Sequence, residues 1–185
     1  MKMEKRLVFD NIAKEAHANA VEHGFWDVRM SNEHYLMLVI SEVAEAVEAD
    51  RKGNWACDKP EYDLYVEVHK SRFITFKESI KDTVEDELAD VVIRLCDLAG
   101  AEGIEFDKLM PLRYIRDFEK FSFSENAFAL CKGLCKESIY LHKRIQWGLW
   151  YVQAWAQHMN INLEWYVTQK MAFNATRPAK HGKAY

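Results

Sequence analysis

The stretch "EDELADVVIRLCDLAG" (residues 85–100) decides the fold. Its apolar residues Leu88, Val91, Val92, Leu95 and Leu98 recur at spacings of three and four, the period of one helical face rather than of a strand. Asp82 or Thr83 can cap it, Glu85 stands in a capping-box relation to Asp82, and Gly103 follows, so the pattern predicts a helix over 83–102. Working outward, the same reading predicts helices over 4–22, ending at Gly24, and over 31–51, with Ser31 or Asn32 as cap and Gly53 beyond. Shorter helices are expected near 105–119, 123–143, 145–159 and 162–176, the last closed by Pro178. Residues 53–81 mix aromatic, β-branched and charged residues and read as a loop with a short helix. Only seven Gly and three Pro interrupt the chain, and the whole reads as one all-α domain, a helical bundle over residues 1–185.

Composition narrows the class. Apolar residues are 49% and charged residues 29% of the 185, which fits a globular chain with a substantial core. The net charge of −4 lacks the basic footprint of a nucleic-acid binder. No apolar run is long enough to span a membrane, and the start "MKMEKRLVFD" has no signal-peptide core, so the expected location is cytoplasmic. Cys57, Cys96, Cys131 and Cys135 contain no CxxC pair and read as free structural thiols.

The acids are the chemical feature. Glu87 and Asp90 are three residues apart beside the apolar stripe, about 60° apart around the helix, so they project to one side. Glu42 and Glu45, in "SEVAEAVEAD" (41–50), repeat that spacing directly after the apolar "YLMLVI", whereas Glu48 belongs to a solvated face. Two such pairs on packed helices would bring four carboxylates to one point, where unpaired burial is costly and a cation is required. Hard oxygen ligands without His or Cys suit Mg²⁺, or Mn²⁺, and the missing Glu-x-x-His pattern speaks against a di-iron bundle.

The C-terminal stretch "QKMAFNATRPAKHGKAY" supplies positive charge, with four Lys or Arg and no acid from Lys170 onward. Lys170, Asn174 and Arg177, at i, i+4 and i+7, are expected on one helical face, with Lys180 beyond Pro178, an arrangement suited to a polyphosphate.

Residues 95–109 can be laid on 152–166 at an offset of 57, Ala99 meeting Ala156 and Ile104 meeting Ile161. A duplicated chain would have halves 1–109, with the acids, and 110–185, with the basic ending.

Taken together, "HGFWD" (23–27), "NEHYLMLVISE" (32–42), "KDT" (81–83), the ExxE at Glu42 and Glu45, the ExxD at Glu87 and Asp90, and "KMAFNATRPAKHGK" (170–183) resemble the MazG-like nucleoside triphosphate pyrophosphohydrolases of the all-α NTP pyrophosphatase superfamily. The resemblance implies hydrolysis of a nucleoside triphosphate, deoxy or non-standard, between its α and β phosphates, giving the monophosphate and pyrophosphate. It implies that Glu42, Glu45, Glu87 and Asp90 hold one or two Mg²⁺ ions, that Lys170, Asn174, Arg177 and Lys180, with Lys81 as a further candidate, hold the phosphates, and that Trp26 stacks on the base. Compact members work as dimers with shared sites, so the resemblance allows either a homodimer or a fused pseudo-dimer. Two departures stand out: residues 53–80 look inserted between the acidic motifs, and about 57 further residues, roughly 110–167, separate the ExxD helix from the basic ending. Two rivals remain: a dimeric-type dUTPase or related diphosphatase on the same scaffold, and a non-catalytic helical protein that binds nucleotide or nucleic acid through its basic ending.

Overall fold

A computed structural model describes residues 8–106 and 116–182. The described residues form eight α-helices and no strand: α1 (Phe9–Glu22), α2 (Asn32–Lys52), α3 (Lys59–His69), α4 (Arg72–Ser79), α5 (Val84–Ala101), α6 (Phe123–Leu134), α7 (Leu141–His158) and α8 (Leu163–Asn174). No helix among them is long and apolar enough to cross a membrane. The all-α reading holds. The helix expected near 105–119 falls largely outside the described residues, as do the first residues of the helix expected over 4–22 and the proposed boundary between halves.

Helix α5 is the axis of the bundle. It packs against α1, α2, α7 and α8, and α6 closes the far side against α2 and α7. Leu88, Val91, Val92, Leu95 and Leu98, the stripe that identified it, are all buried. Each such side chain contributes about 1.5–3 kcal/mol by leaving water. Thr83, not Asp82, is its cap: Thr83 Oγ1 accepts from the Asp86 amide at 3.3 Å, while Asp82 sits at φ 64°, outside helical geometry. Glu85 therefore makes no capping box and instead accepts from the Ala56 amide at 2.8 Å. The capping box lies elsewhere, between Ser122 and Glu125 at the start of α6.

Residues 53–80 hold two helices rather than one. Asp58 caps α3 just before Pro60, a residue preorganised for a first turn, and Ser71 caps α4. The pair is fastened by short-range contacts to its own ends: the Cys57 amide reaches Ser79 O and Asn54 Nδ2 reaches Asp82 O at 2.8 Å. Phe76 of α4 stacks on Phe173 of α8 with ring centroids 4.5 Å apart, so this segment lies over the last helix. Further along, α6 stops at Leu134 and α7 begins at Leu141, earlier than the sequence suggested in both cases. Helix α8 ends at Asn174, and the chain then turns tightly, the amides of Ala175, Thr176 and Arg177 donating hydrogen bonds to the carbonyls of Met171, Phe173 and Asn174. Pro178 disfavours helical geometry at Arg177, so the helix cannot resume beyond the turn. All four cysteines are free.

The crossing of α1 on α5 is set by Gly100. A Cβ there would lie 2.6 Å from the Ala13 carbonyl oxygen and 2.6 Å from His17 Cβ. This close approach brings His17 of α1 beside Asp97, one turn earlier on α5. Gly100→Ala should gain about 1 kcal/mol of helix propensity and lose about 1–3 kcal/mol to overpacking against backbone. We expect a lower midpoint in thermal unfolding followed by circular dichroism; an unchanged or raised midpoint would contradict this packing.

Candidate metal centre

The first turn of α5 buries three acids in succession, Glu85, Asp86 and Glu87. Their position at the positive end of the helix dipole lowers the cost of this crowding without removing it. Opposite them α2 contributes Glu42, only 3% exposed. Oxygens of Glu42, Glu87 and Asp90 lie within 4.8 Å of one another, and Asp82, Asp86 and Glu87 form a second, overlapping group. The structure thus gathers three of the four acids expected from sequence. Glu45 is exposed and stands outside both groups, because the 60° between i and i+3 turns it from the α2–α5 seam toward solvent. Its charge still acts on Glu42.

Asp86 is a buried acid that the sequence reading missed. Its Oδ2 accepts from the Asp82 amide at 3.0 Å and from Lys170 Nζ at 2.7 Å, while Oδ1 is buried without a partner. Lys170 also reaches Asp90 at 2.8 Å. The lysine expected at a phosphate therefore sits inside the acid cluster as its counterion, 5% exposed, with the ring of Phe76 5.7 Å from its Nζ. On the other side Arg94 donates to Glu42. Four carboxylates (Glu42, Asp86, Glu87 and Asp90) thus face two cations, Lys170 and Arg94.

Titration follows from this imbalance. Burial, then Asp90 and Asp86, push the Glu87 carboxyl up to about 9. Burial also raises Asp86, to about 6, with Lys170 pulling the other way. For Lys170 itself burial favours the neutral form, but Asp90 and Asp86 outweigh it and hold the ammonium charged. Direct contact at 2.7 Å keeps the Lys170–Asp86 pair ionised at neutral pH. Glu42 is raised by burial against the pull of Arg94. The donor set is hard oxygen with two negative charges in excess once Glu87 ionises, and it suits a divalent cation such as Mg²⁺.

A cavity of about 300 Å³ opens beside the cluster, between the end of α1, the 24–30 segment, the start of α2 and one face of α5. Asn174, Arg177 and Lys180 line it together with Asp90 and Arg94. Arg177 lies beyond the end of α8, so the shared helical face expected for Lys170, Asn174 and Arg177 does not exist; a turn brings Asn174 and Arg177 to the cavity instead. That turn is clamped by His23, whose ring nitrogens meet Asn19 O at 2.8 Å and Arg177 O at 3.0 Å and whose carbonyl accepts from the Lys180 amide at 2.8 Å. Asn174 is buried, and its Oδ1 has no partner. Lys81 pairs with exposed Asp82 at the rim of the acid groups. Trp26 stacks on Tyr35 with centroids 4.5 Å apart and donates its N–H to Asp97 at 2.8 Å; Tyr35 rather than Trp26 lines the cavity.

No protein-family model, curated protein or solved structure matches this chain.

Because Glu87 holds its proton in the folded state from the usual 4.5 up to about 9, the metal-free fold binds more protons than the unfolded chain across that range. Its stability should be fullest below pH 4.5 with respect to this group and should be lost as pH rises toward 9. Thermal unfolding in chelator from pH 5 to 9 is expected to show this fall, and Glu87→Gln should flatten it. A wild-type slope that Glu87→Gln leaves unchanged would contradict the assignment.

Proposed function

We propose that this protein is a Mg²⁺-dependent nucleoside triphosphate pyrophosphohydrolase, cleaving between the α and β phosphates to give the monophosphate and pyrophosphate. The observation that carries this reading is that Asp90, which groups with Glu42 and Glu87 in a cluster two charges short of balance, also lines one cavity with Asn174, Arg177 and Lys180. Acids alone would serve any cation, and basic residues alone any anion. Their meeting at one cavity suits a ligand that brings both, a metal-bound polyphosphate.

In this reading Glu42, Glu87 and Asp90 hold the metal, with Asp86 and the more exposed Glu45 at its margin. A bound Mg²⁺ would polarise the phosphate and lower the pKa of the attacking water. The chain's own residues do the rest. Glu87 must give up its proton as the cation binds. Arg94 and Lys170 fix Glu42, Asp86 and Asp90 in place. Arg177 offers a fork of donors to phosphate oxygens and Lys180 a point charge, while Asn174 contributes an amide from the cavity wall. Lys170 acts here as a positioning residue for Asp90, not as a phosphate ligand, and Lys81 stands at the rim. A fused pseudo-dimer is supported by the equal lengths of α5 and α7, 18 residues each, whose starts at Val84 and Leu141 are separated by the sequence offset of 57.

The test is a product assay with Mg²⁺ over standard and modified triphosphates that separates pyrophosphate from orthophosphate. Monophosphate plus pyrophosphate is expected, abolished by EDTA and lowered about 10²-fold or more by Glu42→Gln or Asp90→Asn with folding intact. Orthophosphate with nucleoside diphosphate would overturn the α–β assignment. Nucleotide binding without turnover, indifferent to these substitutions, would favour a binding protein.

A further inference from the structure

Along one face of α5, Asp90, Arg94 and Asp97 line the same cavity at i, i+4 and i+7. A helix rises 1.5 Å per residue, so Asp97 lies about 10 Å beyond Asp90. That is the order of one nucleoside, measured from its 5′ phosphate to the far edge of its base. With phosphates held at Arg177 and Lys180, near Asp90, the base would lie against Tyr35 and reach toward Asp97.

Asp97 is built as an acceptor. Its Oδ1 takes the Trp26 indole N–H at 2.8 Å and meets His17 Nδ1 at 2.9 Å. An indole N–H can only donate, so this oxygen can only accept. Two donors on one oxygen fix the carboxylate plane, and Oδ2 makes no hydrogen bond among the described residues. The half-buried carboxylate lines a cavity whose other walls include Phe25, Val28 and Leu38, with the charge of Arg94 also acting on it. Leaving that acceptor unpaired under a bound ligand would be costly, and facing it with a carbonyl oxygen would cost more.

We propose that Asp97 determines base specificity, selecting bases that carry an exocyclic amino group over their deaminated counterparts. The proposal rests on the nucleotide reading above and adds the base class to it. Cytosine and adenine present N–H₂ donors where uracil and hypoxanthine present a carbonyl oxygen. His17 and Trp26 are positioning residues that hold the acceptor in place. The same geometry disfavours the uracil-selective rival.

The experiment is calorimetric titration of the full chain, in Mg²⁺, with two pairs of product-like ligands, dCMP against dUMP and dAMP against dIMP. At least one amino nucleotide should bind tenfold or more tighter than its deaminated partner. Asp97→Asn, which keeps an acceptor for Trp26 but offers an amide N–H₂ to the ligand, should narrow that ratio at least tenfold. N⁴,N⁴-dimethyl-dCMP, or the N⁶-dimethyl form of dAMP if adenine is preferred, should lose the advantage on the unaltered protein, so the proposal stays open to refutation if the variant fails to fold. Equal binding within both pairs, or a ratio that folded Asp97→Asn leaves intact, would overturn the role of Asp97 while the product assay still yielded pyrophosphate. Failure to bind any of the four, with no triphosphate cleaved, would overturn the nucleotide reading as well.

Discussion

The structure turns on the gathering of four carboxylates, three of them buried, around the first turns of α5 with only two cations among them. Desolvation works against Glu42, Asp86 and Glu87, and like charges add to it. Three devices make it tolerable: the positive end of the α5 dipole, the contact of Lys170 with both Asp86 and Asp90, and the hold of Arg94 on Glu42. Removing Lys170 alone would leave Asp86 and Asp90 without their counterion, a loss of about 3–5 kcal/mol for a buried pair. The cluster therefore dictates where other elements go. Helix α8 must dock on α5 to deliver Lys170, and Phe76 of the 53–80 segment lies over that lysine and against Phe173. The segment that looked inserted in the sequence is part of what shields the site from water.

The same docking positions the cavity. Helix α8 continues into a turn that His23 clamps to the end of α1, and this turn carries Arg177 and Lys180 to the cavity that Asp90 also lines. One opening is thus lined by acids and cations together, Asp90 and Asp97 with Arg94, Arg177 and Lys180. At the other end of the opening, the close approach of α1 and α5 at Gly100 brings His17 to Asp97, while Trp26 reaches the same oxygen from the 24–30 segment. One face of α5 therefore carries both Asp90, of the proposed metal site, and Asp97, proposed to face the base.

Much of this was legible in the sequence, for a physical reason. The α5 stripe from Leu88 to Leu98 obeys a local period, and Glu42, Glu87 and Asp90 stand beside such stripes, so burying the stripes against each other also brings these acids together. What depends on tertiary contact was not legible. Asp86 sits in a run of acids that resembles an ordinary exposed first turn, and only Lys170, distant in sequence, marks it as buried. Glu45 shares the i+3 spacing of Asp90 but falls on the wrong side of its helix edge. Asp97 drew no reading from the sequence, because His17 and Trp26, which converge on it, are distant along the chain. The paired helices α3 and α4 did leave a signal, Asp58 before Pro60 and Ser71 before "RFIT", which the mixed hydropathy of the stretch obscured. Arg177 was placed on a helical face because the reading let α8 run to Thr176, past the turn.

The central claim is that the cluster lacks a divalent cation's worth of positive charge and that Glu87 stores a proton in its place. Titration of Mg²⁺ into the chelator-treated protein at pH 7.5, by calorimetry in two buffers of different ionisation enthalpy, tests it most directly. The account expects saturable binding with about one proton released per ion, and loss of that release in Glu87→Gln. Binding without proton release, or no binding with the fold intact, would contradict it.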